Sequence, residues 1–132
     1  MALQTFAQKK VSVEFPDLTD NQIKDTNSHF SSEISCEGYK GLALVFELSK
    51  DDDADGTITI RLWVDIDNDN WGEVLDGCFS VLTINMSEFN EDTNQYKQYV
   101  ADSLVGSKIK FEVVRSSSNG TITIDSMKVL LY

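Results

Sequence analysis

The chain is poor in the residues that most often carry chemistry. It has one histidine, one proline and two cysteines in 132 residues, and 11 bases against 22 acids. The lone His29 sits in "TNSHF" with no serine or cysteine nucleophile signature beside it, and reads as a solvent-exposed or loop-packed side chain. Cys36 and Cys78 match neither a zinc spacing nor a redox motif, and read as small buried side chains in a reducing compartment. A nucleophile elbow, a phosphate loop and a metal-ligand cluster are all missing, so a noncatalytic protein without a cofactor is expected. The opening "MALQTFAQKKVSVEF" lacks the apolar core of a signal peptide, and no later run is long enough to span a bilayer. Synthesis in the cytosol and no membrane partner are the expectation. The shortage of bases leaves a net charge of −11 and a pI near 4.3, which disfavours nucleic-acid binding. That charge is local: nine acidic residues fall between Asp51 and Asp76, against the single base Arg61.

What the chain does have is alternation. In "GLALVFELSK", Leu42, Leu44, Phe46 and Leu48 share one face. In "TITIRLWVDI", Ile58, Ile60, Leu62, Val64 and Ile66 alternate with Thr57, Thr59, Arg61, Trp63 and Asp65. A two-residue period of this length is the mark of a half-buried strand. Further strands are expected at Lys10–Phe15, Glu33–Glu37, Cys78–Ile84, Lys108–Arg115 and Thr121–Tyr132. The phase slips near Asp125, where Ile122 and Ile124 give way to Met127, Val129 and Leu131, and this predicts a bulge. Ser87 to Leu104 reads either as a helix or, through "YKQYV", as an edge strand. Short strands separated by turn clusters predict a single all-β domain, an antiparallel β-sandwich of jelly-roll type with an N-terminal arm. In this reading residues 1–30 form a strand and the arm, and residues 31–132 form the sandwich as one folding unit.

One local pattern occurs twice. "KGLALVFELSKDDDADGTITI" and "KIKFEVVRSSSNGTITI" both run strand, polar loop, Gly-Thr-Ile-Thr-Ile strand. Gly56 follows Asp and Gly120 follows Asn, pairs that accept positive φ, so two similar hairpins are expected.

The acidic loops resemble calcium sites only in part. Asp51, Asp53, Asp55 and Gly56 fit the first half of such a loop, but Leu62 stands where the bidentate Glu belongs and strands replace the flanking helices. In the second loop Asp65, Asp67, Asp69 and Asp76 fit, while Asn70 replaces the turn glycine. Roughly ten strand residues, about 33 Å, separate the two clusters, so they do not form one site. The related loop "SSSNG" shows that this turn needs no carboxylates, and solvated acidic turns are the expectation.

The residues that stand out are aromatic. Trp63 falls on the face opposite Ile60 and Leu62, so it lies either outside the core or against a covering segment. With Arg61 beside it, Trp63 is the candidate binding residue, as an anchor for a protein contact or a platform for a sugar ring. Trp71 follows the Asp-Asn loop, where the next strand should begin, and is expected to pack over the sandwich edge.

Two resemblances cover most of the chain. Gly38 to Asp76 resembles small accessory virion proteins of tailed bacteriophages: Gly56-Thr57-Ile58-Thr59-Ile60, the turn Asp67–Asn70, then Trp71 with Val74. "YKQYVADSLVGSKIKFEVV" followed by "GTITIDSMKVLLY" is similar to the late strands of galactose-binding-like jelly rolls and carbohydrate-binding modules, at Gly106 to Lys108 and Ile124-Asp125. The first implies a structural viral protein made in the host cytoplasm and located in the virion, a capsid decoration or auxiliary head protein. Its partners would be the major capsid protein or other virion proteins, with a homo-oligomer left open. The second implies a carbohydrate-binding or host-adhesion module associated with a tail or fibre.

Overall fold

The computed structural model describes residues 8–74, 81–88, 95–101, 104 and 106–132. Their strands are β1 (Lys9–Ser12), β2 (Gln22–Ile23), β3 (His29–Phe30), β4 (Ile34–Ser35), β5 (Leu42–Lys50) and β6 (Thr57–Asp65). The second half of the chain adds β7 (Trp71–Glu73), β8 (Val81–Asn85), β9 (Gln95–Ala101), β10 (Lys108–Arg115) and β11 (Ile122–Leu131). Met86–Glu88 makes one turn of 3₁₀ helix. All pairings are antiparallel and fall into two sheets. In the first, β11 lies between β5 and the short strands β1 and β2, and β9 forms the edge beyond β5. In the second, β10 lies between β6 and the short strands β3 and β4, and β7 and β8 flank β6. The protein is an antiparallel β-sandwich of jelly-roll type.

The alternation read from sequence sets which side of each sheet is apolar. Ile58, Ile60, Leu62 and Val64 of β6 lie opposite Arg115, Val113, Phe111 and Ile109 of β10, and all eight are buried. In the other sheet Leu42, Leu44 and Phe46 pair with Leu131, Val129 and Met127. The two apolar faces close on each other as one core cluster. The expected bulge is present: the register with β5 shifts between Ile124 and Ser126, leaving Asp125 as the extra residue. Within Ser87 to Leu104 the described strand β9 takes the edge of the first sheet. Val13, Phe15 and Ile23, from the segment ahead of residue 31, belong to the same core cluster.

The two "GTITI" repeats are not hairpins. Strand β5 lies in the first sheet and β6 in the second, while β10 lies in the second and β11 in the first. The loops at residues 51–56 and 116–121 are therefore arches that carry the chain from sheet to sheet, in opposite senses. Turn chemistry alone does not reveal this, because a loop fixes a change of direction and long-range pairing decides which strand lies alongside. The positive φ expected at both glycines is there, +75° at Gly56 and +66° at Gly120.

The arches lie side by side and are stitched together. Asp51 N–H donates to Thr121 O (3.1 Å), and Thr121 N–H donates back to Asp51 Oδ2 (3.0 Å). Asn119 Nδ2 donates to Asp55 Oδ2 at 3.1 Å, and Thr57 N–H to Ser116 Oγ at 2.8 Å. Arg115, only 2% exposed, donates from its guanidinium to the carbonyls of Ile23, Gly120, Asn119 and Asp55. Burial lowers the Arg115 pKa, and the nearby Asp55, Asp51 and Asp25 charges offset this only in part.

Candidate functional site: an aromatic face on the second sheet

The outward positions of β6 include Thr59, Arg61 and Trp63, because their neighbours point into the core; at the strand's end the pattern breaks, with Asp65 buried and Ile66, expected on the apolar face, exposed. Antiparallel partners share a face, so register alone assembles the surroundings. Trp63 lies opposite Lys110 and Glu73, Arg61 opposite Glu112, Asp65 opposite Trp71, and Phe30 opposite Glu112. Three aromatic rings, two cations and several carboxylates thus meet on the outside of one sheet.

Side-chain contacts lock this group. Trp63 is half-buried, outside the core cluster, and its indole Nε1–H donates to Glu112 Oε1 at 3.0 Å. Arg61 reaches Glu73 Oε1 at 3.4 Å and Glu112 Oε1 at 3.6 Å. Glu112 has a side chain only 8% exposed, so its carboxylate depends on these two donors to offset lost hydration. The Phe30 and Trp63 rings meet edge-on, with centroids 6.2 Å apart and planes at 64°. Lys110 Nζ sits 4.9 Å from the centroid of Phe30 and 4.3 Å from that of Trp71, bridging both rings as a cation.

The two residues singled out from sequence, Trp63 and Arg61, are brought together here through Glu112. Four further members were not found from sequence: Phe30, Lys110, Glu112 and Glu73. The alternation in "KIKFEVV" already puts Lys110 and Glu112 outward, but only the pairing of β10 with β6 places them next to Trp63. Trp71 does begin β7, at the edge of this sheet beside β6, half-buried beneath Lys110.

The remaining candidates resolve into local structure. Asp65 is buried and accepts the Asp69 N–H at both carboxylate oxygens, at 3.0 and 3.1 Å, while Asn68 and Asp69 take positive φ in the loop. Asp51 and Asp55 accept hydrogen bonds from Thr121 and Asn119 across the arches. Asp55 is held below its usual pKa by the Ser117 hydrogen bond first and the Asn119 one second. Among the described residues no three His, Cys, Asp or Glu side chains converge as a metal set; Asp76 lies outside them. Cys36 is buried with its Sγ 3.6 Å from Gly106 O, and burial raises its pKa, which keeps the thiol protonated. Cys78 lies outside the described residues. His29 is packed into a loop between Asp17 and Asp25. No described helix is long and apolar enough to cross a membrane.

No protein-family model matches the chain, and no curated protein matches its sequence. Solved structures match by shape. A xylan-binding module of type CBM15 superposes with a TM-score of 0.56 at 12% identity, over 95% of this chain and 96% of that one. SPBc2 prophage-derived protein YomS gives a TM-score of 0.45 at 13% identity, over 99% and 100% of the two chains. A carbohydrate-binding module specific for non-crystalline cellulose gives 0.46 at 13%, over 76% and 65%. The likeness to the xylan-binding module is one of fold, and supports the sandwich assignment.

Proposed function

We propose that this protein is a noncatalytic adhesion component of a virion, a capsid decoration or auxiliary head protein that docks through the outer face of its second sheet. The observation that carries the adhesion reading is the locked group of Phe30, Trp63, Trp71, Lys110, Arg61 and Glu112. Partly exposed but ordered aromatics beside an arginine are the composition of a protein interface, and ordering them in the free protein lowers the entropy lost on docking. The virion reading is supported by the resemblance of Gly56 to Val74 to accessory virion proteins. The charge of −11 also suits a protein added to a particle packed with DNA, since it suppresses nonspecific binding to phosphate. The partner is then the major capsid protein or another virion protein, and many identical contacts act together by avidity. Mixing the purified protein with capsids and imaging the particles tests this: ordered extra density at repeating capsid sites is expected, and bare capsids at saturating protein refute it.

A second reading has its own support. The fold likeness to a xylan-binding module spans nearly the whole of both chains, and aromatic rings on a sheet face can stack on sugars. Under that reading the same face binds carbohydrate. A glycan array with no capsid present separates the two.

A further inference from the structure

The docking face is one peptide bond away from a titratable clasp. His29 and Phe30 are the two residues of β3; His29 pairs with the core residue Val113, and Phe30 pairs with Glu112 on the outer face. His29 is buried, its side chain 10% exposed, and both ring nitrogens are engaged. Nδ1 lies 2.8 Å from Asp17 Oδ2, and Nε2 lies 2.7 Å from Asp25 Oδ1. Asp17 precedes β2 and Asp25 follows it, so the ring ties both limbs of the loop to the start of β3. A neutral imidazole has one N–H and can donate to only one of the two carboxylates, whereas the imidazolium donates to both.

We propose that protonated His29 is a clasp that holds Phe30 against Trp63, and that loss of its proton loosens the docking face. The consequence for binding rests on the docking reading above; the coupling itself belongs to the free protein.

The surroundings favour the charged ring. Burial alone would lower the His29 pKa, but the hydrogen bonds and charges of Asp25 and Asp17 outweigh it, and the net direction is upward from 6.5. The His29 hydrogen bond in turn holds Asp25 below its usual 3.8. Asp20 and Lys24 line the same recess as Asp17, Asp25 and His29. From β10, the Arg115 guanidinium feels the Asp25 charge, while Glu112 is engaged on the outer face with Arg61 and Trp63. A raised histidine pKa gives stabilisation that is complete below the unfolded value and is lost as pH rises through the folded one. A depressed aspartate pKa gives stabilisation that is lost as pH falls through its folded value. The clasp is therefore fully made between 3.8 and 6.5, the ordinary values of the two groups, and opens on the alkaline side of the raised histidine pKa.

The sequence makes the test clean. His29 is the one histidine, and Trp63 and Trp71, the two tryptophans, both lie in the face. NMR of the imidazole reads the clasp, and tryptophan emission reads the face, in the same pH series on the free protein. The imidazole is expected to titrate above 6.5, and the emission to change with the same midpoint. Asp25→Asn should lower both midpoints together by about half a pH unit or more. Phe30→Ala should leave the imidazole midpoint in place and abolish the emission change. Emission that does not follow His29, or an imidazole midpoint at or below 6.5, overturns the clasp. Should Asp25→Asn not fold, Asp17→Asn makes the same comparison at the more exposed carboxylate. Neither capsid nor glycan enters the measurement, so failure of the clasp is distinct from failure of the docking reading.

Discussion

Leu62 and Thr59 lie on the same strand and face opposite ways. Leu62 is fully buried opposite Phe111, whereas Thr59 is half-exposed and its Oγ1 lies 3.3 Å from the Thr83 hydroxyl. Leu62→Ala should therefore cost ~2–5 kcal/mol, from lost burial and the cavity left behind. Thr59→Ala removes one exposed hydroxyl contact and should cost less than about 1 kcal/mol. Urea unfolding of both variants checks this, and equal losses would contradict the strand phase. That phase was legible because burial of one sheet face forces an alternation the eye can count. Trp63 and Arg61 were legible as outward residues for the same reason. Their partners were not: Phe30, Lys110 and Glu112 reach Trp63 only through pairings between strands distant in sequence. Arg115 was also hidden. Alternation puts it inward, but its carbonyl partners come from separate loops and leave no local trace.

At the scale of elements, the arches show where local pattern ceases to specify structure. The glycines, the bulge at Asp125 and β10 at Lys108–Arg115 follow from turn chemistry and periodicity. Whether a strand–loop–strand unit folds on itself or crosses to another sheet depends on competition among all strands for neighbours, and a single unit does not contain that information. The crossing has a consequence that a pair of hairpins would not. A Cβ at Gly120 would lie 2.4 Å from Ala54 N and 2.7 Å from Ala54 Cα, the backbone of the facing arch. A Cβ at Gly56 would meet the Ser116 hydroxyl at 2.4 Å, a side chain that can turn aside. Gly120→Ala should thus cost ~2 kcal/mol or more, combining left-handed backbone strain with a clash against main chain, and Gly56→Ala nearer ~1 kcal/mol. Thermal unfolding ranks the two, and a larger loss at Gly56 would contradict the arch packing. The same loops set the metal expectation. Since Asp51, Asp55 and Asp65 already accept hydrogen bonds within the turns, calcium should move Tm by less than about 5 °C, of order 1 kcal/mol for a domain of this size. A larger, chelator-reversible shift would make one of these loops a true site.

For the whole molecule, the sandwich carries an aromatic face on its second sheet, and the question is what that face meets. The all-β class could be read from the spacing of strands; the face could not, since it exists only once β3, β10, β6 and β7 are side by side. Trp63 is the residue through which stability and binding separate. It lies outside the core cluster, held by Glu112 and Phe30, so Trp63→Ala should leave the sandwich folded, with a cooperative thermal transition like that of the wild type. Truncating a central aromatic anchor costs ~2 kcal/mol or more, about a thirtyfold loss of affinity per contact. If the face docks on capsids, occupancy of imaged particles should fall at protein concentrations that saturate them with the wild type. Loss of glycan binding with normal capsid occupancy would transfer the face to the carbohydrate reading. Loss of the thermal transition would mean that Trp63 holds the second sheet together and that its contacts are structural. A folded variant that binds capsids and glycans as the wild type does would remove this face from the function and place the contact surface elsewhere on the molecule.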